Sequence, residues 1–439
     1  MLTILVLKEK QNMTNEAYPR DILTNLSRWI DRKEAYALKG PRQSGKTTLL
    51  KMLQKTLPGK KIVFLNFEDP DVLEAFEANP KEYIKSYITT PDKHYFLMDE
   101  YHYVKNCGKN LKLLYDTFEN AKFIVTGSSS LELCGAMAKF LVGRVFIFEL
   151  FPFNFHEFLT AKNPRLANIY REKNQQLKDF LLNGTTLTVE TRDIFHNEFT
   201  PLLNEFLTFG GYPAVITAED ADTKKIILKN IYDTYISKDI IEFLKVSDPS
   251  KYRCIVRTLA ALSGKILNYN DLSSTCQSYY KETKQTLSIL QETYIIQLIQ
   301  PFHTNPITEL KKNPKVYFHD VGLRNHILNN FNAIEKRIDT GALIENHTLL
   351  CLRNLFPDKT LNYWRTTAKA EVDFVIQLDD EPTPVEAKYQ TFQRPKISRS
   401  LRSFIKTYKP QRALVITRDY WNQEEIENTT VVFIPAHYF

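Results

Sequence analysis

Gly40-Pro41-Arg42-Gln43-Ser44-Gly45-Lys46-Thr47 is the stretch on which the reading of this chain turns. It has the form G-x-x-x-x-G-K-[ST], with the apolar run Ala35 to Leu38 before it and the helix-forming run Thr48 to Leu57 after it. A strand, a glycine-bearing loop and a helix in that order are the context in which such a loop holds phosphates. Gly40 and Gly45 permit a backbone that turns N–H groups inward, and the start of the helix adds the positive end of its dipole. Lys46 is expected to reach the β and γ phosphates of ATP and Thr47 to ligate Mg²⁺, with Gly40, Pro41, Arg42, Gln43, Ser44, Gly45 and Thr48 completing the lining.

A phosphate loop also needs an acid at the end of another buried strand. Tyr95-Phe96-Leu97-Met98-Asp99-Glu100 supplies four apolar residues and then two carboxylates. Asp99 is expected in the Mg²⁺ shell and Glu100 at the attacking water. Phe123-Ile124-Val125-Thr126-Gly127-Ser128 repeats the layout with hydroxyls at the strand end. Thr126 or Ser128 is the candidate sensor of the γ-phosphate, and an ordinary helix cap by Ser128 to Ser130 is the plainer alternative. Arg144 precedes a further apolar run, Val145 to Phe148, and reads as an arginine finger, a sensor within its own subunit, or a solvated side chain.

The rest of the chain bounds these readings. At 439 residues it is long enough for about three domains. A 43% apolar and 25% charged composition excludes disorder, collagen and a coiled-coil rod. The net charge of +7 is too mild to announce a nucleic-acid binder by itself. The five cysteines, Cys107, Cys134, Cys254, Cys276 and Cys351, have no zinc-knuckle or CxxC spacing and read as buried thiols of a reducing cytosol. Met1 to Leu7 lacks the flanks of a signal peptide, and no run is long enough to span a membrane, so a cytoplasmic protein is expected.

Short buried strands alternate with amphipathic helices from Pro19 to about Phe158. A polar stretch at 161–200 reads as an insertion or linker, broken at Asn183-Gly184. Three helical segments between Tyr252 and Thr293, then apolar runs at Tyr294 to Ile299 and Lys315 to Phe318, read as a winged helix whose third helix opens with Tyr279, Tyr280, Lys281 and Lys284, either a DNA-facing or a purely structural wing.

Taken together, GPRQSGKTTLL at Gly40 to Leu50, Asp99-Glu100, Thr126 to Ser129, Gly143-Arg144 and Leu150 to Phe158 resemble the prokaryotic AAA-type ATPases that carry a C-terminal domain of unknown function. Gly210-Gly211-Tyr212-Pro213, Tyr235 to Ile240, Lys315 to Gly322 and Tyr363 to Thr366 fit further segments of that family, so the resemblance runs from about residue 18 to the end. It departs at His102, where a Gln is common, and at Phe153-Asn154, where Leu-Ser is common. The resemblance implies an α/β P-loop core with a parallel sheet, a helical and winged-helix middle, and a nuclease-like end. The expected divisions are 1–17 as an extension, 18–160, 161–200, 201–330 and 331–439.

In the last division, Glu345 on a helix, Asp373 in Glu371-Val372-Asp373-Phe374 and Glu386-Ala387-Lys388 follow the order E, D, E-x-K of the PD-(D/E)XK nucleases. That resemblance implies that Glu345, Asp373 and Glu386 hold Mg²⁺ while Lys388 orients water. Lys388 to Arg412 adds eight basic residues and no acid, with Ile397, Leu401, Phe404, Ile405 and Tyr408 at helical spacing. DNA is therefore the expected partner, whether the fold cuts it or only binds it. A protein partner and a second copy of the chain remain open alternatives.

Overall fold

The apolar runs of the N-terminal part form one parallel sheet. Ala35–Lys39 (β1), Lys61–Asn66 (β2), His94–Asp99 (β3), Ala121–Gly127 (β4) and Val145–Glu149 (β5) lie in the order β2-β3-β4-β1-β5. The computed structural model describes residues 18–57, 59–127, 141–187, 193–234, 248–302, 312–378 and 381–439. Ser128, the 1–17 extension and the 235–240 segment lie outside the described residues.

Both faces of this sheet are covered, which is why its strands lack a polar alternation. Tyr36, Leu38, Tyr95, Leu97 and Ile124 pack on one face with Leu49, Leu50 and Leu53 of the helix Lys46–Lys55. Ala35, Ala37, Phe96, Met98, Phe123 and Val125 pack on the other with Leu111 and Leu114 of the helix Cys107–Thr117. Because β4 lies between β1 and β3, the phosphate-loop strand and the acid-bearing strand are not neighbours. Their C-terminal ends nevertheless open on the same sheet edge, where ligands of parallel α/β sheets bind.

The chain divides into two compact units at Phe151 and Pro152. The helix Phe155–Lys162, which straddles the expected boundary at 160, lies in the second unit. Much of 161–200, read as an insertion or linker, is helical. Asn163 caps a 20-residue helix, Pro164–Asn183, which buries Leu166, Tyr170, Leu177 and Phe180 and ends at Gly184 in the left-handed conformation.

Within the second unit, the helices Pro249–Ala261, Tyr269–Thr275 and Tyr280–Glu292 precede an antiparallel pair, Ile296–Ile299 (β6) and Lys315–Phe318 (β7). Cys254 and Cys276 are joined as a disulfide, which corrects the expectation of free thiols throughout; Cys107 and Cys351 are buried. Gly210-Gly211 is a packing device. A Cβ on Gly211 would lie 2.1 Å from the Phe153 carbonyl oxygen, and the Gly211 N–H donates to Asp320 at 2.7 Å. Burial pushes the Asp320 carboxyl up to about 6 even though Gly211, Leu323 and Gly322 donate to it.

A mixed sheet completes this unit. Leu361–Arg365 (β8), Glu371–Leu378 (β9), Glu381–Ala387 (β10), Arg412–Thr417 (β11), Asn422–Ile426 (β12) and Thr429–Pro435 (β13) run in the order β12-β13-β11-β10-β9-β8. The helix Arg399–Tyr408 lays Leu401, Phe404 and Ile405 on one face, against Trp364, Val372, Val415 and Phe433. Each such burial is worth about 1.5–3 kcal/mol, which holds the helix while its basic side stays outward. The β6–β7 pair is tied to the sheet by a bridge between Pro301 and Tyr363.

Candidate functional site

The phosphate loop leaves β1 at Gly40, where a Cβ would lie 2.1 Å from the Leu150 carbonyl oxygen, so no larger residue fits the loop in this form. Gly45 takes φ 94° and caps the helix that begins with Lys46. Lys46 is only 4% exposed, and its Nζ donates to the carbonyls of Gly40 at 3.1 Å and Pro41 at 2.8 Å. Burial pulls its ammonium down to about 8, against the opposing pull of Glu100 and Asp99. Ser44 is fully buried and its Oγ has no hydrogen-bond partner among the described residues. Thr47 is half-buried and Thr48 exposed at the start of the same helix.

Asp99, Glu100 and Thr126 meet at the ends of β3 and β4. The Thr126 hydroxyl donates to Asp99 Oδ1 at 2.6 Å and accepts from the Glu100 N–H at 2.9 Å. Its single proton is thus committed to Asp99, and Thr126 fixes the acid pair rather than offering a donor to a phosphate. Glu100 has φ 49°, and its Oε2 lies 3.0 Å from His102 Nδ1. Burial raises the Glu100 carboxyl, but His102, Lys46 and Arg42 outweigh it and hold the group below the ordinary carboxylate range. His102, whose position departs from the family pattern, therefore keeps Glu100 ionised.

One bracing residue was missed from sequence. Arg20 is 7% exposed and donates to the Ser44 carbonyl at 2.9 Å and the Phe151 carbonyl at 2.7 Å, so it ties the phosphate loop to the chain beyond β5. Arg144 does not join the site. β5 runs parallel to β1, with Ala35 beside Val145 and Lys39 beside Glu149. Arg144 therefore lies at the sheet edge opposite the phosphate loop, one five-residue strand or roughly 16 Å away. It pairs there with Asp116 at 3.1 Å. The reading of Arg144 as a sensor for its own subunit's nucleotide is corrected by this geometry.

The second unit gathers the other expected residues into a carboxylate cluster. Glu371 and Asp373 lie two apart on β9 and so share a face. The register that pairs Val385 with Phe374 carries Glu386 alongside Asp373, whose Oδ2 accepts from the Ala387 N–H at 2.8 Å. Glu386 is 2% exposed, with Lys388 Nζ at 3.1 Å from one oxygen and the Ser398 hydroxyl donating to the other at 2.8 Å. Burial and Asp373 raise its carboxyl, and Lys388 opposes them.

A residue given no role in the sequence sits in the middle. Lys315, on β7 and 1% exposed, places Nζ 2.9 Å from Glu345, 2.7 Å from Glu371 and 3.9 Å from Asp373. Burial works against its charge, but Glu345, Asp373 and Glu371 outweigh it and hold the ammonium protonated. The Tyr317 hydroxyl also donates to Glu345, and Arg365 pairs with Glu371 at 3.1 Å. The cluster is compensated from within by amine and guanidinium groups.

The basic segment behaves as its spacing implies. Arg394, Lys396, Arg399, Arg402, Lys406 and Lys409 are exposed, while Arg412 donates to the Leu181 carbonyl and Lys388 pairs with Glu386. No described helix is long and apolar enough to cross a membrane.

Comparison with known proteins divides the chain into three matched stretches. Residues 32–159 match a family described as an AAA domain, 200–333 a domain of unknown function (DUF8612), and 340–439 another (DUF4143). An uncharacterized protein of Haemophilus influenzae is 25% identical over 425 residues, which cover 94% of this chain and 96% of that protein. One from Methanocaldococcus jannaschii is 25% identical over 410 residues, covering 89% and 83%. Among solved structures, the Walker-type ATPase of Pyrococcus abyssi is 12% identical with a TM-score of 0.42, covering 71% of this chain and 96% of its own. The chain thus carries an AAA-type P-loop ATPase domain followed by two domains of unknown function.

Proposed function

We propose that the protein binds ATP with Mg²⁺ at the phosphate loop and hydrolyses it. The observation that carries this reading is the convergence on one sheet edge of a buried lysine, a fixed acid pair and a buried serine hydroxyl without a partner among the described residues. Lys46 now spends its donors on loop carbonyls, which a phosphate oxygen can replace. Thr47 and Asp99 are the groups that would hold Mg²⁺, and an all-oxygen donor set suits that hard cation. Held there by Thr47 and Asp99, Mg²⁺ would neutralise charge on the β and γ phosphates. Glu100, ionised and steadied by His102, accepts a proton from water.

Substitution separates these roles. Lys46→Ala is expected to lose tight ATP binding, while Glu100→Gln keeps binding and slows hydrolysis by about 100-fold or more, in line with the loss of a general base. Equal hydrolysis by wild type and Glu100→Gln would remove the glutamate from this role.

For the second unit the favoured reading is DNA binding without cleavage. Six exposed cations on and before one helix, together with exposed Tyr279, Tyr280, Lys281 and Lys284 at the start of another, suit a phosphate backbone. Lys315 stands among the carboxylates that the nuclease-like order assigns to Mg²⁺. Reversing Arg399, Arg402 and Lys406 together is expected to weaken DNA binding across sequences and flatten log K against log salt by up to about 0.9 per lost phosphate contact. An unchanged slope returns the helix to a merely solvated face. Metal-dependent cutting by wild type that Asp373→Asn abolishes restores the nuclease reading.

A further inference from the structure

Away from both sites, a carboxylate and two imidazoles converge in the second unit. A carboxylate oxygen of Asp193 and one ring nitrogen each of His196 and His437 all lie within 4.8 Å of one another. His437 follows β13 and is 1% exposed, and its Nε2 lies 2.7 Å from Asp193 Oδ2. His196 opens the helix His196–Phe209, three residues beyond Asp193.

The groups around the cluster orient it as the surroundings of a metal site do. The Tyr438 hydroxyl and the Phe195 N–H donate to Asp193 Oδ1 at 2.6 and 3.0 Å, which leaves Oδ2 as the oxygen turned to His437. The Thr200 hydroxyl donates its one proton to the His196 carbonyl at 2.7 Å, so toward His196 Nε2 at 3.4 Å it can only accept. That contact favours the tautomer with the proton on Nε2 and a lone pair on Nδ1. His196 Nδ1 is buried and has no hydrogen-bond partner among the described residues. Phe199 stacks on the His437 ring with centroids 5.3 Å apart, so the cluster is walled by apolar surface.

We infer that Asp193, His196 and His437 form a zinc site. Two imidazoles and one carboxylate are a three-ligand set that Zn²⁺ accepts with a fourth position for water, and such a mixed nitrogen and oxygen set does not suit Mg²⁺ or Ca²⁺. The direct Asp193–His437 hydrogen bond gives way on binding. The proton on His437 Nε2 moves to Nδ1 or to solvent, and the freed lone pair and Asp193 Oδ2 both turn to the ion. The ion staples the start of the helix His196–Phe209 to the turn Ala436–Tyr438.

The test uses full-length protein without a histidine tag, stripped of metal and titrated with Zn²⁺ by calorimetry and with Co²⁺ by visible absorption. One metal ion per chain, the intense visible bands of low-coordinate Co²⁺ and a higher unfolding temperature with Zn²⁺ are expected. His196→Gln and His437→Gln each abolish the bands, Tyr438→Phe weakens binding by about tenfold as the loss of an orienting hydroxyl does, and His156→Gln leaves it unchanged. His196 is partly exposed, so its variant keeps the test decisive if His437→Gln does not fold. Wild type that takes up no metal, or metal held equally well by His196→Gln, overturns the assignment.

Discussion

The two carboxylate sites are made from the same ingredients and arranged to opposite ends. At the phosphate loop, Lys46 is buried beside Asp99 and Glu100 but donates to the backbone carbonyls of Gly40 and Pro41. In the second unit, Lys315 is buried among Glu345, Glu371 and Asp373 and bonds to the carboxylates themselves. A lysine resting on neutral carbonyls gives them up to an anion at small cost. One that neutralises acids cannot leave without stranding buried charge, which costs far more. What a buried lysine touches, more than how near an acid it lies, separates a site waiting for a ligand from one already filled.

Removing each lysine tests that contrast in its strongest form. Lys315→Met is expected to destabilise the protein by about 3–5 kcal/mol, the usual effect of breaking a buried ion pair from one side. Adding Glu345→Gln to it should restore part of the loss, because one of the stranded charges is then gone. Urea unfolding of the two single variants and the double measures the coupling. A Lys315→Met protein as stable as wild type would mean that the cluster tolerates an open centre, and the contrast with the phosphate loop would fail.

The phosphate-loop lysine responds to pH instead. Its ammonium loses its proton near pH 8 in the free protein, lowered from the usual lysine range by burial. A bound polyphosphate favours the charged form, so the bound state titrates higher. Affinity is therefore full below pH 8 and falls as pH rises through it, by up to about tenfold per pH unit until the bound-state value is reached. Titrating a non-hydrolysable ATP analogue from pH 7 to pH 9.5, on the order of the range this linkage covers, measures the slope. A flat profile would place the Lys46 ammonium in a better-solvated setting than its contacts with Gly40 and Pro41 describe.

How much of this was legible in the sequence follows from how local each feature is. The phosphate loop, the acid pair at the end of β3 and the helix Arg399–Tyr408 are patterns within about ten residues, and the chain folds them as read. Glu345, Asp373, Glu386 and Lys388 come together because their order fits the strand and helix order. Lys315 was invisible because a lysine opening a strand reads as solvated, and only the β6–β7 pair carries it into the cluster. Arg20, His102 and the Cys254–Cys276 pair act through contacts that no spacing encodes. β12 went unread because the alternation at Asn422–Ile426 is mostly polar on an edge strand.

Arg144 is different, for its position was available in the sequence and was misjudged. A residue that precedes a strand parallel to β1 must lie at the edge where β1 begins, while the phosphate loop leaves the edge where β1 ends. Arg144 and Asp116 are both substantially exposed, at 36% and 45% of their side chains, so their ion pair contributes at most about 1 kcal/mol. Arg144→Ala is accordingly expected to leave ATP affinity and the hydrolysis rate of dilute protein within about twofold of wild type, the smallest effect among these variants. Rates measured across a range of protein concentration check it. A deficit that appears only as concentration rises would assign the arginine to the nucleotide of a neighbouring copy, since an exposed side chain far from its own phosphate loop can act there only across an interface.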